Sequence, residues 1–268
     1  DAQSGSLTYQ VCSDNLFSMA PETGMTNWTY QRVLILNISI TIGDGKIFFL
    51  ETTDSGVIVG DSRRLSAANW KKNLKLVCLN QATGALEWEV EPNLTGGEPC
   101  LWVQYAEGRR LITGSEQSND SFNLYGFNPS DGSLDWTHSH GWRSSHHGGN
   151  HQHPVITGGS IYLEPHRYSL ATGVRTGANV MPGRNGCSTF RGAKDVLFYR
   201  GVPMSGQYAG NIAMWDPVAR SSSAISRVRP GCWLSWVPAS GAILVQEQGA
   251  GCSCGSWMDT SFGLAPKK

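Results

Sequence analysis

A short recurring motif limits what this chain can fold into. The motif is an Asp or Asn, three residues, a glycine, and three further residues before an aromatic, as in Asn80–Trp88 and Asn128–Trp136. Asp or Asn followed by Gly suits a tight hairpin turn, and an indole on the returning strand can pack against a neighbouring sheet. The motif glycines at 84, 132 and 173 are about 40–50 residues apart, which is the period of β-propeller blades.

Strand-like segments surround each copy of the motif, including the weaker copies at 169–177 and 216–220. Apolar runs predicted to enter the turns lie at 77–79, 124–127, 161–163 and 212–215, and further hairpins precede them at 41–50, 155–162, 190–199 and 237–245. Each repeat therefore reads as one four-stranded antiparallel blade. The chain has 32 glycines, 10 tryptophans and only 16% charged residues, which favours many short strands over exposed helices.

The sequence thus predicts an all-β fold, a single β-propeller domain of about five blades. The predicted blades span residues 30–92, 100–140, 150–178, 186–228 and 232–266, and residues 53–75 are predicted to be a long polar loop within the first of them. Residues 1–9 repeat the turn-and-aromatic pattern, and the strand-like run at 261–264 has no partner after it. We therefore expect an N-terminally incomplete ring of seven or eight blades, completed by a second chain or by the missing N-terminal part.

Charge and cysteine content restrict the class of protein. The 21 basic and 21 acidic side chains balance, so the chain lacks the electrostatic footprint of a nucleic-acid-binding protein. No apolar window is long enough for a membrane-spanning helix. Seven cysteines are many for a cytosolic protein of this size and favour a periplasmic or secreted one; they are Cys12, Cys78, Cys100, Cys187, Cys232, Cys252 and Cys254.

The repeats resemble PQQ-like propellers, the group that includes quinoprotein dehydrogenases and the propeller of the outer-membrane assembly factor. In the C-terminal half, the segments at 151–154, 185–187, 229–233 and 251–254 are similar to the cysteine-bearing PQQ-like repeat proteins of planctomycetes. This resemblance implies an exported propeller that acts as a binding or assembly module for protein or glycan. Fold alone does not assign chemistry.

A quinoprotein-type oxidoreductase is a second alternative that the residues do not favour. The chain has no adjacent Cys-Cys pair, and no carboxylate can be assigned to the calcium site that accompanies PQQ in such enzymes. It also has no Cys-x-x-Cys-His motif, so covalent c-type haem is not expected.

Six of the seven histidines lie between positions 138 and 153. Clustered imidazoles on a loop are good ligands for Zn, Cu or Mn, so the first alternative function is a metal- or His-dependent carbohydrate-active enzyme, a polysaccharide lyase or hydrolase. A catalytic or sugar-binding histidine without metal, and a purely structural loop, are the other interpretations. The candidate metal ligands are His146, His147, His151, His153 and His166, and the candidate substrate-binding residues are Arg143, Arg167 and Tyr168.

A second cluster comprises Cys187, Cys232, Cys252 and Cys254. The one-residue spacer between Cys252 and Cys254 disfavours a disulfide between them, so each is expected to pair with Cys187 or Cys232, and sequence cannot choose the connectivity. A four-thiolate zinc or iron site is the alternative.

Overall fold

The computed structural model describes residues 9–54, 56, 58–59, 64–66, 73–94, 100–108, 110–118, 121–141, 153–184, 189–201, 211–225, 236–245 and 262–265. Its first sheet, sheet 1, has eight strands in the order β5-β6-β1-β2-β4-β7-β8, with β3 paired to β4. These strands are β1 (Tyr9–Met19), β2 (Thr26–Leu36), β3 (Thr41–Gly43), β4 (Lys46–Thr52), β5 (Ile58–Val59), β6 (Arg64–Ser66), β7 (Leu74–Asn80) and β8 (Leu86–Val90).

Four antiparallel meanders follow. Sheet 2 contains β9 (Cys100–Ala106), β10 (Arg110–Ser118), β11 (Ser121–Phe127) and β12 (Leu134–Gly141). Sheet 3 contains β13 (Val155–Thr157), β14 (Ser160–Leu163), β15 (His166–Ser169) and β16 (Arg175–Gly177). Sheet 4 contains β17 (Arg191–Ala193), β18 (Val196–Gly201), β19 (Asn211–Asp216) and β20 (Ser221–Ile225), and sheet 5 contains β21 (Trp236–Ala239), β22 (Ala242–Val245) and β23 (Phe262–Leu264).

The prediction of an all-β propeller fold built from four-stranded antiparallel blades is confirmed. Among the described residues the one helical element is a 3-10 turn, Asn37–Ser39, and no helix there is long and apolar enough to cross a lipid bilayer. The predicted long loop at 53–75 is wrong in part, since it contains β5 and β6, and β6 pairs with β1. The predicted hairpin at residues 1–9 lies outside the described residues except for its last position.

The chain divides into two compact units. The first comprises residues 1–141 together with 170–173, and the second comprises 142–169 together with 174–268. In the first unit, Phe48 and Leu50 of β4 join a core with sheet 2, while Ile47 and Phe49 on the opposite face join a core with β1 and β2. Burial on both faces explains why β4 is a continuous apolar run rather than an alternating one.

Ser39 bridges the break between β2 and β3, the two strands that run along the same side of β4. Leu34–Leu36 and β3 both run beside β4, and the 3-10 turn interrupts them. The buried Ser39 hydroxyl donates to the Leu36 carbonyl oxygen over 2.7 Å and accepts the Leu50 N–H over 2.9 Å. The side chain thereby satisfies backbone groups that the interrupted strand leaves without a partner.

The recurring motif forms the turn that its sequence predicts. The Gly84 N–H donates to the Asn80 carbonyl oxygen over 2.8 Å, and the Asn80 side chain accepts the N–H groups of Ala82 and Thr83. Gly84, Gly132 and Gly173 have φ values of +70°, +74° and +68°. This left-handed conformation is one that glycine adopts without steric cost.

Each motif tryptophan packs on the glycine of the next motif, an arrangement here called the Trp–Gly contact. A Cβ atom on Gly132 would lie 2.7 Å from the Trp88 ring, and one on Gly173 would lie still closer to the Trp136 ring. The indole N–H of Trp88 also donates to the Pro129 carbonyl oxygen over 3.3 Å. The expected packing of the indole on a neighbouring blade is therefore confirmed.

A further copy of the motif precedes those that the sequence pattern identified. Gly24 has a φ of +70°, its N–H donates to the Ala20 carbonyl oxygen over 2.8 Å, and Trp28 follows four residues later. Trp28 packs on Gly84. Because Ala20 occupies the usual Asp or Asn position, the sequence pattern does not match this copy.

The contact is missing between sheets 3 and 4. Gly177 stands at the tryptophan position of sheet 3, and Arg220 stands at the glycine position of sheet 4 with a φ of +54°. Without an indole to accommodate, the turn tolerates a side chain. An apolar core that includes Tyr162, Tyr199 and Trp215 joins these two sheets, and the Thr157 hydroxyl donates to the Lys194 carbonyl oxygen over 2.7 Å.

Candidate functional site

Besides the pairing of β1 with β6 and of β2 with β4, the β1–β2 hairpin packs one face near its turn on the rest of sheet 1. On that face Leu16, Trp28 and Tyr30 pack against the core that includes Phe49 and Val77. The rings of Tyr30 and Phe49 meet edge to face, with centroids 5.5 Å apart. The indole N–H of Trp28 donates to the Gln81 carbonyl oxygen over 3.0 Å.

A polar network at the edge of this core fixes the hairpin further. The Tyr30 hydroxyl lies 3.2 and 3.1 Å from the two carboxylate oxygens of Glu51, which is fully buried. The Arg32 Nε donates to the Tyr30 oxygen over 2.9 Å, and its Nη2 bonds Glu89 on β8 over 3.0 Å. The network thus joins β2 to β4 and β8, which makes the orientation of the hairpin specific.

Burial is the main cause of the raised pKa of Glu51, and the Tyr30 hydrogen bond and the Arg32 charge only partly oppose it. Burial likewise raises the pKa of Tyr30. A carboxyl whose pKa is higher in the folded than in the unfolded state binds more protons when folded, over the pH range between the two values. Glu51 therefore lowers the stability of the fold as the pH rises through that range.

We predict that Glu51→Gln becomes more stable relative to the wild type as the pH rises from about 4 to 7, because glutamine cannot ionise in the buried site. Urea unfolding of both proteins at each pH measures the difference. Glu22→Gln, at an exposed carboxylate in the β1–β2 turn, gives the background. A relative stability of Glu51→Gln that is flat or falls with pH would contradict the interpretation.

Three large apolar side chains are exposed at the turn end of the hairpin and are here called the hairpin patch. Phe17 is 56% exposed, Met19 is 49% exposed and Met25 is 70% exposed. Phe17 and Met19 are two residues apart on β1 and so share a face, and Met25 lies at the end of the turn, where its carbonyl oxygen accepts the Ala20 N–H over 2.8 Å. Clustered apolar side chains exposed to this degree indicate a contact surface.

Glutamates on β8 and directly after it form ion pairs. Glu87 bonds Lys46 over 2.6 Å, and Glu91 bonds Lys75 over 2.8 Å. These groups are in contact with solvent, so each pair contributes little stability. Together with the Arg32–Glu89 pair they neutralise the acidic side chains of β8.

The structure describes four of the residues that the sequence proposed for binding. His166 lies on β15, where its Nδ1 accepts the Asn179 N–H over 3.1 Å. Arg167 donates to the Thr176 side chain over 3.2 Å, and Tyr168 is buried within sheet 3, where burial raises the pKa of its phenol. His153 meets Thr189 through its backbone.

The other proposed residues lie outside the described residues: His146, His147, His151, Arg143, Cys187, Cys232, Cys252 and Cys254. Within the described part of the chain, no three His, Cys, Asp or Glu side chains stand close enough together to hold a metal ion. The metal, substrate and disulfide predictions therefore stay predictions.

One described cysteine has a defined chemical state. Cys78 on β7 is a buried free thiol, and burial raises its pKa to about 12. Because the thiolate is the reactive form of cysteine, this thiol is expected to be inert at neutral pH.

Buried charges in the second unit were not anticipated from the sequence. The Arg184 Nε lies 2.6 Å from a Glu164 carboxylate oxygen, and both side chains are almost fully buried. Arg200 on β18 is also buried. Charged side chains in a strand-like segment predict solvent-facing positions. Only the apolar residues clustered around them in the sequence could have indicated that these charges are buried.

Comparison with known proteins agrees with this architecture. A family profile described as the outer membrane protein assembly factor BamB (PQQ_2) matches residues 13–180, more than half of the chain. Among solved structures, BamB from Moraxella catarrhalis is similar over 90% of this chain, with 16% sequence identity and a TM-score of 0.53. The chain spans 65% of the length of that structure.

Two other solved structures are similar at lower TM-scores. Quinohemoprotein alcohol dehydrogenase ADHIIG from Pseudomonas putida HK5 is 8% identical, with a TM-score of 0.47 over 88% of this chain and 48% of its own. The rhamnogalacturonan lyase YesW is 13% identical, with a TM-score of 0.45 over 78% of this chain and 43% of its own. The search of curated proteins found no match. Since the family profile covers most of the first unit and continues into the second, the chain belongs to the PQQ_2 family of BamB-like β-propeller proteins.

Proposed function

We propose that this chain is an exported binding or assembly module, and that the hairpin patch is its contact surface for a partner polypeptide. The family to which the chain belongs supports the class of function. The exposure of Phe17, Met19 and Met25 is the single observation that carries the choice of surface.

The chemistry of the hairpin patch suits a polypeptide partner. Phenylalanine and methionine are enriched at protein interfaces, and the flexible thioether adapts to irregular apolar surfaces. The hairpin is held from behind by Trp28, Tyr30 and Arg32, so the patch is presented on a fixed support and binding need not order it. A preorganised surface loses less entropy on association.

Site-specific photocrosslinking in the cells that make the protein tests this proposal. A photoreactive phenylalanine analogue at position 17 is expected to capture one partner polypeptide in the periplasmic or secreted fraction. The same analogue at Leu134, an exposed apolar position on β12, is the matched control and is expected to capture none. With that partner purified, Phe17→Ser should weaken binding by about 30-fold, as expected for a central interface aromatic.

Equal capture from positions 17 and 134, or capture that Met25→Asp does not reduce, would contradict the assignment of the hairpin patch. Recovery of the whole protein in the cytosol would contradict export.

Glycan binding, a Zn, Cu or Mn site in the 138–153 segment, and completion of the ring by a second chain or a further N-terminal part are additional proposals. Elemental analysis and intact mass of the natively purified protein test the last two together. Loss of bound metal in a His151→Ala, His153→Ala double variant would favour a His-dependent activity.

A further inference from the structure

Two arginines share one face of sheet 4. Arg191 on β17 lies opposite Phe198 on β18, and Arg200 follows two residues after Phe198. Residues directly opposite each other in a sheet share a face, as do residues two apart on one strand, so Arg191 and Arg200 are diagonal neighbours about 7–8 Å apart. Ile212, which is opposite Arg200 on β19, lies on this face too.

Arg200 is only 2% exposed. In the part of the chain that the structure describes, nothing accepts a hydrogen bond from its Nε or Nη1. Buried polar groups in folded proteins are nearly always hydrogen-bonded, and an exception indicates a missing partner.

Arg184 on the same sheet provides an internal comparison. It lies opposite Gly201, the residue after Arg200, so it faces the other side of sheet 4. There Glu164 neutralises it over 2.6 Å. The fold therefore supplies a carboxylate for one buried guanidinium and leaves the other facing apolar neighbours such as Phe198 and Ile212.

A guanidinium keeps its charge in proteins, whereas a buried lysine can lose its proton. An uncompensated buried charge is strongly destabilising, so an anion that reaches Arg200 would be held tightly. The five N–H donors form a planar fork that matches two oxygens of one oxyanion. Arg191 is half-buried, and this desolvation lowers the pKa of its guanidinium.

We propose that Arg200, assisted by Arg191, binds a small oxyanion on this face of sheet 4. The ligand class is a phosphate, sulfate or carboxylate that accepts hydrogen bonds from the Nε or the Nη1 of Arg200. This site lies within the second unit and does not depend on the hairpin patch, which belongs to the first.

Thermal unfolding of the whole protein with inorganic phosphate, against chloride at matched ionic strength, tests the proposal. Phosphate should raise Tm saturably, by roughly 5–10 °C at a hundred times its Kd. Phosphate also stabilises proteins by exclusion from their surface, and Arg175→Met, at an exposed arginine on β16, should retain the full response. Arg200→Met should keep only the non-saturating part, and Arg200→Lys, which keeps the charge without the fork, should respond more weakly than the wild type.

In phosphate-free chloride, Arg200→Met should unfold at a temperature no lower than the wild type, because it removes a charge that no residue in the described part of the chain neutralises. A large fall in its Tm there, or failure to fold, would mean that a carboxylate of the chain itself pairs with Arg200, and would overturn the proposal. An equal phosphate response in the wild type and Arg200→Met would overturn it as well.

Discussion

Gly132→Ala is expected to lower the free energy of unfolding by about 2–5 kcal/mol. Two costs combine in this value. At a φ of +74° an L-residue is strained, and its Cβ would lie 2.7 Å from the Trp88 ring and 2.9 Å from Val90. Since the indole is fixed by its own packing, it cannot move away without losing contacts. Urea unfolding followed by tryptophan fluorescence measures the change.

Gly45→Ala separates the two costs. Gly45 has nearly the same φ, +72°, but a Cβ there would meet nothing within 4 Å. It is expected to cost only about 1–2 kcal/mol, from backbone strain alone. Adding Trp88→Ala to Gly132→Ala should give a loss smaller than the sum of the two single losses, because the clash disappears. Equal losses for Gly45→Ala and Gly132→Ala would show that the Trp–Gly contact does not restrict this position.

Removing one partner of the buried Glu164–Arg184 pair is expected to cost about 3–5 kcal/mol, because the remaining charge is left uncompensated. Glu164→Gln and Arg184→Met should show this loss separately. The double variant Glu164→Leu, Arg184→Met should be close to the wild type, since a buried pair gains little over apolar residues of similar volume. Denaturant unfolding of the three variants measures these stabilities.

Lys75→Met breaks the exposed Lys75–Glu91 pair, which has a similar 2.8 Å separation, and is the matched control. Its loss should stay below about 1 kcal/mol. If Glu164→Gln cost no more than Lys75→Met, the side chains at 164 and 184 would have to be hydrated rather than buried.

The turns were predictable because their chemistry is local. An Asn or Asp that accepts nearby N–H groups, followed by a glycine at positive φ, can be recognised in five residues of sequence, as at Asn80–Gly84 and Asn128–Gly132. The copy at Gly24 was missed because Ala20 stands at the first position, where its carbonyl oxygen accepts the Gly24 N–H without an Asn or Asp side chain. In sheet 3, the strand that enters the turn is His166–Ser169 rather than the predicted apolar run at 161–163. Because the other residues of this strand are polar, its sequence does not indicate that Tyr168 is buried.

The site was not predictable in the same way, because it depends on which face of a strand each residue occupies. Leu16 is packed and Phe17 exposed, yet both are apolar, so hydrophobicity along β1 gives no alternating pattern. Glu164 and Arg184 are 20 residues apart and meet only because sheets 3 and 4 are adjacent. From the sequence alone, Arg200 would be expected to face solvent. Its burial depends on the residues that pack over its face of sheet 4.

The Trp–Gly contact also restricts how this family of repeats can be rearranged in evolution. Each contact is made of two halves carried by successive repeats, so a duplicated or deleted repeat must bring a matching half to each new border. A repeat with Arg220 at the glycine position could not follow one that ends in Trp136, because the side chain would occupy the space of the ring. The border between sheets 3 and 4, which has Gly177 in place of the indole, is where the coding sequence could accept an insertion or a crossover at the lowest cost.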